Sequence, residues 1–387
     1  MPVRNRLADL APEIAAWRRD IHAHPELMFD TARTAAIVAD KLRAFGCDEV
    51  VTGIARNGVV GVIRGQKTGS GRVLGLRADM DALPIEEATG AAHASTEPGK
   101  MHACGHDGHT AMLLGAAQYL CETRNFDGTA VVIFQPAEEG GGGGRVMIEE
   151  GVLERFGIQE VYGMHNWPGI AEGRFAIRPG GFFAAADQFD IRITGKGGHA
   201  AKPHEGVDAC LVAGHVMVAL QSVVARNVDP VAQAVLSVTG IDAGGGAYNV
   251  IPQTAVMRGT VRTMDEGVRE LVRARLIHVA EATAAAFGAA AEVTYHTGYP
   301  VMINAEVETE HAAAAARRVS GQCDEAPLVM GAEDFAYMLQ ARPGAYILVG
   351  NGDTAPVHHP EYDFNDAAIA PGTSWWAEIA EGRMPLG

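Results

Sequence analysis

Cys104-Gly105-His106-Asp107-Gly108-His109 constrains this chain more than any other segment, because it asks the fold to turn donor groups toward one ion. A thiol and an imidazole two residues apart can face the same ion when the glycine between them lets the backbone fold back. About thirty residues later stands Gln135-Pro136-Ala137-Glu138-Glu139. One carboxylate of that pair can bind metal while its neighbour, free of metal, handles a proton. Together the two segments read as a metal site with a built-in base.

The pattern around them predicts an α/β fold. Apolar residues recur at helical spacing over 10–24 and 33–45, with Gly46 placed to cap the second stretch. Short β-rich runs follow at 59–63 and 73–76, then the metal loop, a helix over 110–122 and a strand over 130–134. Strands alternating with helices indicate a mixed, largely parallel sheet flanked by helices, and such sheets bind ligands beyond the carboxyl ends of their strands. Arg77-Ala78-Asp79-Met80-Asp81 follows one strand and Gln135 to Glu139 another, so both motifs occupy that position.

Near residue 188 the pattern changes to strand 189–194, helix 207–226, strand 234–240, strand 254–262, helix 265–287 and strand 291–296. This β-α-β-β-α-β order is that of a ferredoxin-like domain. The expected organisation is a catalytic domain made of 1–186 and 298–387, with an inserted ferredoxin-like domain over 187–297. A chain of 387 residues is long enough for both.

Several functions are disfavoured. A net charge of −16 leaves little means to build a basic patch for nucleic acid. No apolar run approaches the roughly 20 residues that span a bilayer, so no membrane partner is expected. Residues 1–6 lead into a mixed polar and apolar helix without a leader-type apolar core, and the expected compartment is the cytoplasm. The five cysteines are scattered, odd in number and without a Cys-x-x-Cys pair, which argues against a disulfide framework. Four of them read as small apolar fillers; Cys104 alone sits among histidines. The five glycines from Gly140 lack the Lys-Ser/Thr of a phosphate loop and read as a mobile turn, and no His-Glu-x-x-His is present. Among fifteen histidines, His215, His278 and His311 lie in helical stretches and read as structural, whereas His22, His24, His93, His204 and His296 read as capping or hydrogen-bonding residues.

Five motifs occur in order: Arg77 to Pro84, Met101 to His109, Gln135 to Glu139, Gly195-Lys196-Gly197-Gly198-His199-Ala200-Ala201 and Gly331-Ala332-Glu333-Asp334-Phe335. In this order they resemble the hippurate hydrolase and N-acyl-amino-acid amidohydrolase family, within the wider group of dinuclear-metal aminoacylases and carboxypeptidases. The resemblance extends from His24-Pro25-Glu26-Leu27 to His358-His359-Pro360. It implies two divalent ions per subunit, Zn or Mn with Co or Ni as further candidates, held by Cys104, His106, Glu139, His165 and His358, with Cys104 as the bridge and His359 as the alternative to His358. Asp81 is expected to orient a ligand, while the role of Asp79 stays open, since wider relatives carry His-x-Asp there.

The implied reaction is hydrolysis of the amide bond of N-acyl amino acids such as hippurate and N-acetyl amino acids by a metal-bridged hydroxide. Glu138 acts as general base and His199 helps to hold the oxyanion. Arg262 and Asn249 match positions that contact substrate, and an Arg suits an α-carboxylate through its bidentate geometry. The inserted domain is expected to serve as a lid and to pair subunits into a homodimer or higher oligomer. A dipeptidase or carboxypeptidase using the same site is the alternative. A non-catalytic metal-containing binding protein is disfavoured, because binding metal needs neither Glu138 nor His199.

Overall fold

A computed structural model describes residues 5–387, which divide into two units. The larger consists of the chain up to Gly180 with Ile303–Pro327 and Asp334–Gly387; the smaller is Gly181–Met302 with Leu328–Glu333. The absence of an apolar leader was read partly from residues 1–4, which lie outside the described residues.

In the larger unit the first elements are α1 (Asn5–His22), α2 (Ala32–Phe45), β1 (Glu49–Ile54), β2 (Gly58–Arg64), β3 (Val73–Asp79), α3 (His106–Thr123), β4 (Thr129–Gln135), α4 (Gly143–Glu149), α5 (Val152–Arg155), β5 (Glu160–Pro168) and β6 (Phe175–Ile177). The smaller unit adds β7 (Gly180–Phe183), which begins at the junction, then β8 (Ala185–Thr194), β9 (Gly198–His199), α6 (Ala209–Asn227), β10 (Ala234–Ala243), β11 (Val250–Ile251), β12 (Thr254–Thr263), α7 (Glu266–Ala286) and β13 (Ala290–Tyr299). The chain returns through β14 (Met302–Asn304), α8 (Glu306–Ser320), β15 (Asp324–Glu325), α9 (Phe335–Ala341), β16 (Gly344–Gly352) and α10 (Ile369–Arg383).

Eight strands form the main sheet in the order β1-β2-β4-β3-β5-β16-β6-β15. Its centre is parallel, β4 with β3, β3 with β5 and β5 with β16, so four chain segments leave the sheet side by side at their carboxyl ends. β4 and β16 are buried along almost their whole length, as a strand covered on both faces must be. Leu7, Ile14, Val38, Leu42, Leu113, Leu120, Trp375 and Trp376 pack from the helices into one core with Leu74, Leu76, Val132 and Ile347.

α2 shows how the local sequence sets an element. Ala35, Val38, Ala39 and Leu42 fall on one buried stripe at helical spacing. Gly46 then takes φ 85°, its N–H reaching Arg43 O at 3.1 Å while Cys47 N reaches Leu42 O at 3.1 Å, which ends the helix.

The smaller unit pairs its strands in the order β10-β12-β8-β13, antiparallel throughout, with α6 and α7 packed on the sheet around Phe189, Ile191, Val216, Leu220, Met257 and Leu276. That is the ferredoxin-like topology. The unit is wider than 187–297 because β8 begins at Ala185, β13 runs on to Tyr299, and residues 328–333 join it. Other elements also differ from expectation. α3 starts at His106 rather than 110, so the metal loop feeds straight into the helix, and Gly143-Gly144 of the glycine run form the first turn of α4.

Candidate metal centre

Each candidate ligand is held by a different element of the larger unit. Gly105 takes φ 87° as the N-cap of α3, with Cys104 just before it and His106 as the first helical residue. A Cβ at Gly105 would lie 2.2 Å from Asn166 Nδ2 and 2.5 Å from Tyr362 Oη, so glycine is required both by its conformation and by the space it leaves. Glu138 and Glu139 follow β4 through a turn in which Ala137 has φ 58°. His165 lies within β5, and His358 sits in the loop before α10 with φ 67°, its N–H on Ala103 O at 2.7 Å.

Folding brings these side chains together. Cys104, His106 and His165 offer donor atoms within 4.8 Å of one another, as do Cys104, Glu139 and His358, and His106, Glu138 and Glu139. Cys104, His106 and Glu139 each belong to two of these three groups, which joins the groups into one cluster. Its Sγ is 3.3 Å from His165 Nε2, while Glu139 Oε1 is 3.4 Å from His358 Nε2 and 3.9 Å from His106 Nε2. His359 stays out of the cluster: it is exposed, and its Nδ1 accepts from Glu361 N at 3.1 Å.

Outer contacts aim the rings. His106 Nδ1 donates to Asp81 O at 2.8 Å and His165 Nδ1 donates to Asn166 O at 2.5 Å, so both rings present Nε2 inward. The Asp81 carboxylate accepts Glu138 N at 3.0 Å and Glu139 N at 3.1 Å, which makes it the anchor of both glutamates. Buried His106 Nε2 has no hydrogen-bond partner, and neither does Glu139 Oε1. Orphaned buried atoms of this kind are costly unless a ligand satisfies them, and a thiol, imidazoles and a carboxylate converging on one point fit divalent cations.

Electrostatics agrees. Burial pushes the Asp81 carboxyl up, and it pulls the His165 ring well below its usual range, leaving that ring neutral. Burial would also depress His106, but Asp79, Asp81 and Glu139 raise it to about 10. Such a pocket attracts positive charge, and an arriving cation replaces the His106 proton.

Sequence reasoning left several supporting residues unassigned. His109 Nδ1 donates to Asp79 Oδ1 at 2.6 Å and its Nε2 accepts Asn166 N at 2.9 Å, so both nitrogens are engaged. Asp79 is held also by Arg77 Nη1 at 2.6 Å, and His106, Arg77 and His109 keep its carboxyl ionised against burial; with His106 and His109 it makes a further group of donor atoms within 4.8 Å. Arg77 Nη2 and Gln135 Nε2 reach the buried Asp334 carboxylate at 2.7 and 2.8 Å, beneath the glutamate turn. Asn166 Nδ2 donates to Cys104 O at 2.7 Å while its Oδ1 accepts from Tyr362 Oη at 2.6 Å. The one available signal was helical spacing, which puts His109 a turn beyond His106. Asn166, Tyr362 and Asp334 carry no local mark of their role.

In the smaller unit, His199 pairs with Val250 across β9 and β11, and Asn249 O accepts Ala200 N at 2.9 Å, so His199 and Asn249 share one exposed ribbon. His199 Nδ1 accepts Ala201 N at 3.1 Å, which leaves Nε2 facing outward. Arg262 is not brought to them: it lies at the far end of β12, half-buried, with Nη1 on Val261 O at 3.1 Å.

A cluster of this composition with a second carboxylate beside it, set at the strand ends of an α/β sheet, defines a metal-dependent hydrolase. Residues 75–382 match the model of peptidase family M20/M25/M40. The chain is 39% identical over 378 residues to the hippurate hydrolase of Campylobacter jejuni, covering 97% of each. It is 42% identical over 377 residues to an N-acetyl-L-cysteine deacetylase of Bacillus subtilis, covering 97% of this chain and 89% of that one. A solved structure of a Bacillus subtilis dinuclear metal binding peptidase from the M20 family superposes with a TM-score of 0.86 at 34% identity, covering 97% and 99% of the two chains. The chain belongs to the M20/M25/M40 peptidase family.

Two outcomes follow from this geometry. His22 lies buried beneath the metal loop, Nδ1 on Asp107 Oδ2 at 2.8 Å. Burial opposes its charge, but Asp107 and Glu87 raise it from 6.5 to about 9. A raised folded-state pKa contributes stability that is complete below 6.5 and is lost as pH climbs through about 9. Urea denaturation should therefore show a decline of a few kcal/mol, to order of magnitude, across that window, and the slope should become shallower in His22→Gln, His106 supplying part of the remainder. A wild-type slope equal to that of the variant would exclude the ion pair. Second, alkylation of Cys104, followed by peptide mass spectrometry, should be slow with divalent metal present and fast after chelation, because a ligand sulfur is covered. Equal rates would remove Cys104 from the ligand set.

Proposed function

We propose that this chain hydrolyses the amide bond of N-acyl amino acids, releasing a carboxylate and a free amino acid. The observation that carries the reading is the division of labour in the glutamate turn. Glu139 joins Cys104 and His358 in one donor group, whereas buried Glu138 shares a group with His106 and Glu139 but none with Cys104, and its backbone N–H is held on Asp81. The two relatives, a hippurate hydrolase and an N-acetyl-L-cysteine deacetylase, are named for N-acyl amino acid substrates.

Cys104, His106, Glu139, His165 and His358 would hold two divalent ions, and thiolate with imidazole favours Zn, while the carboxylate also admits Mn, Co or Ni. Bound there, the ions supply a water acidified toward neutral pKa and a Lewis acid for the amide oxygen. Glu138 accepts the proton of the attacking water and passes it to the departing amine nitrogen. Asp81 keeps Glu138 and Glu139 in register for these tasks. His199 Nε2 donates to the developing oxyanion, and Asn249 on the same ribbon receives a polar group of the amino-acid half.

We further propose that the smaller unit pairs two subunits. β10 and β13 are the edges of its sheet, and Val235 and Ile241 on β10 are exposed, as are Leu211, Met217 and Val218 on α6. An edge strand flanked by apolar side chains is suited to a two-fold interface.

Glu138→Gln should lower kcat on hippurate and N-acetyl amino acids by about 10²–10⁴-fold with metal content unchanged. Activity within about tenfold of wild type, or loss of the metal, would sink the base assignment. The same panel should include dipeptides, since preference for a free α-amino group would point to peptidase activity. Subunit pairing is tested by mixing inactive Glu138→Gln with inactive His199→Ala. If His199 serves the partner's site, random pairing restores roughly a quarter of all sites. Verified mixed dimers without recovered activity would place His199 in its own chain's site.

A further inference from the structure

Two cysteines expected to be separate apolar fillers meet in the fold: Cys47 Sγ lies 3.6 Å from Cys121 Sγ, though the residues are 74 apart in sequence. Cys47 follows the glycine cap of α2, and Cys121 sits in the last turn of α3. Arg124 holds the two segments in place. It caps α3 with φ 48°, and its guanidinium donates to Gly46 O at 2.8 Å and to Asp48 Oδ2 at 2.7 Å, the residues on either side of Cys47, and to Arg64 O at 2.7 Å. The thiols are thus held at contact distance, and small side-chain rotations bring sulfurs from there to a bond length of about 2.05 Å.

Accessibility is graded in the way exchange requires. Cys47 is partly exposed and can meet a small reagent, whereas Cys121 is buried behind it. The contact with Cys121 and burial push the Cys47 thiol up, whereas the hydrogen bond from Cys47 lowers the Cys121 thiol, burial opposing this and Arg124 supporting it, so Cys47 holds the proton the pair shares. α3 carries His106 at its first residue, so Cys121 lies about 22 Å along the helix from the metal centre. The pair therefore stands apart from the hydrolytic site.

We propose that Cys47 and Cys121 form a reversible disulfide staple, closed by exchange with a low-molecular-weight disulfide of the glutathione class. Partly exposed Cys47 loses its proton to solvent and attacks one sulfur of the small disulfide, forming a mixed disulfide and releasing one small thiolate. Cys121, its proton lost to solvent, then attacks the Cys47 sulfur and releases the second. Two protein thiols are oxidised and one small disulfide is reduced to two thiols, so two electrons pass to the reagent. The staple joins the end of α2 to the end of α3 and restricts the unfolded chain across the intervening 74 positions.

The test uses the full metal-loaded chain equilibrated with rising ratios of oxidised to reduced glutathione, then alkylated, digested and read by mass spectrometry. Cys47 and Cys121 should disappear together into one intramolecular crosslinked peptide that dithiothreitol reverses. The crosslinked chain should unfold about 5 °C or more above the reduced one. In Cys121→Ser the reaction should stop at a glutathione adduct on Cys47. Exposed Cys210 reports that the reagent is active. If Cys210 is modified while Cys47 and Cys121 remain alkylatable or carry separate glutathiones, or if the crosslinked chain unfolds at the same temperature, the staple is refuted.

Discussion

The Asp81 carboxylate is the contact on which the metal centre depends most. One oxygen receives the N–H of Glu138 and the other that of Glu139, while the carbonyl of the same residue receives the His106 ring. One residue just beyond β3 therefore sets the turn after β4 with its side chain and the first residue of α3 with its carbonyl. Because β3 and β4 are parallel neighbours, Asp79 pairs with Gln135, and the two turns begin level with one another. Hydrogen bonds of this kind cost little to form and much to break, since Asp81 is buried and would be left with an unsatisfied charge.

Around that anchor the larger unit concentrates negative charge. Asp79, Asp81, Glu138 and Asp334 are buried, with Arg77 bridging Asp79 and Asp334. Burying so many carboxylates is expensive in free energy, and bound divalent cations would offset it. The high affinity of His106 for a proton is the same attraction expressed with the smallest available cation. Ligand geometry, charge and orphaned polar atoms thus have one explanation.

The supporting layer is built from parts remote from one another in sequence. Tyr362 reaches Asn166, Asn166 reaches the Cys104 carbonyl and His109, and His109 reaches Asp79. The chain links the loop before α10 to the end of β3 through four side chains. No donor in it is free to rotate without unsatisfying the next, which gives the centre its rigidity.

Much of this was legible in the sequence. Spacing within Cys104-Gly105-His106 and the pairing of Glu138 with Glu139 identify the chemistry, because ligand type and glycine conformation are local properties. Hydrophobic period separates the helices from the strands of both units and yields the βαββαβ order. Central β16 was missed because it is buried along its whole length and so lacks alternation, as a parallel core strand must. Which histidine of His358-His359 joins the cluster, that Asp79 meets His109, and that Cys47 meets Cys121 were decided only by the tertiary structure. Each depends on the position of a partner tens or hundreds of residues away, and distance through space is not encoded in any local pattern of residue types.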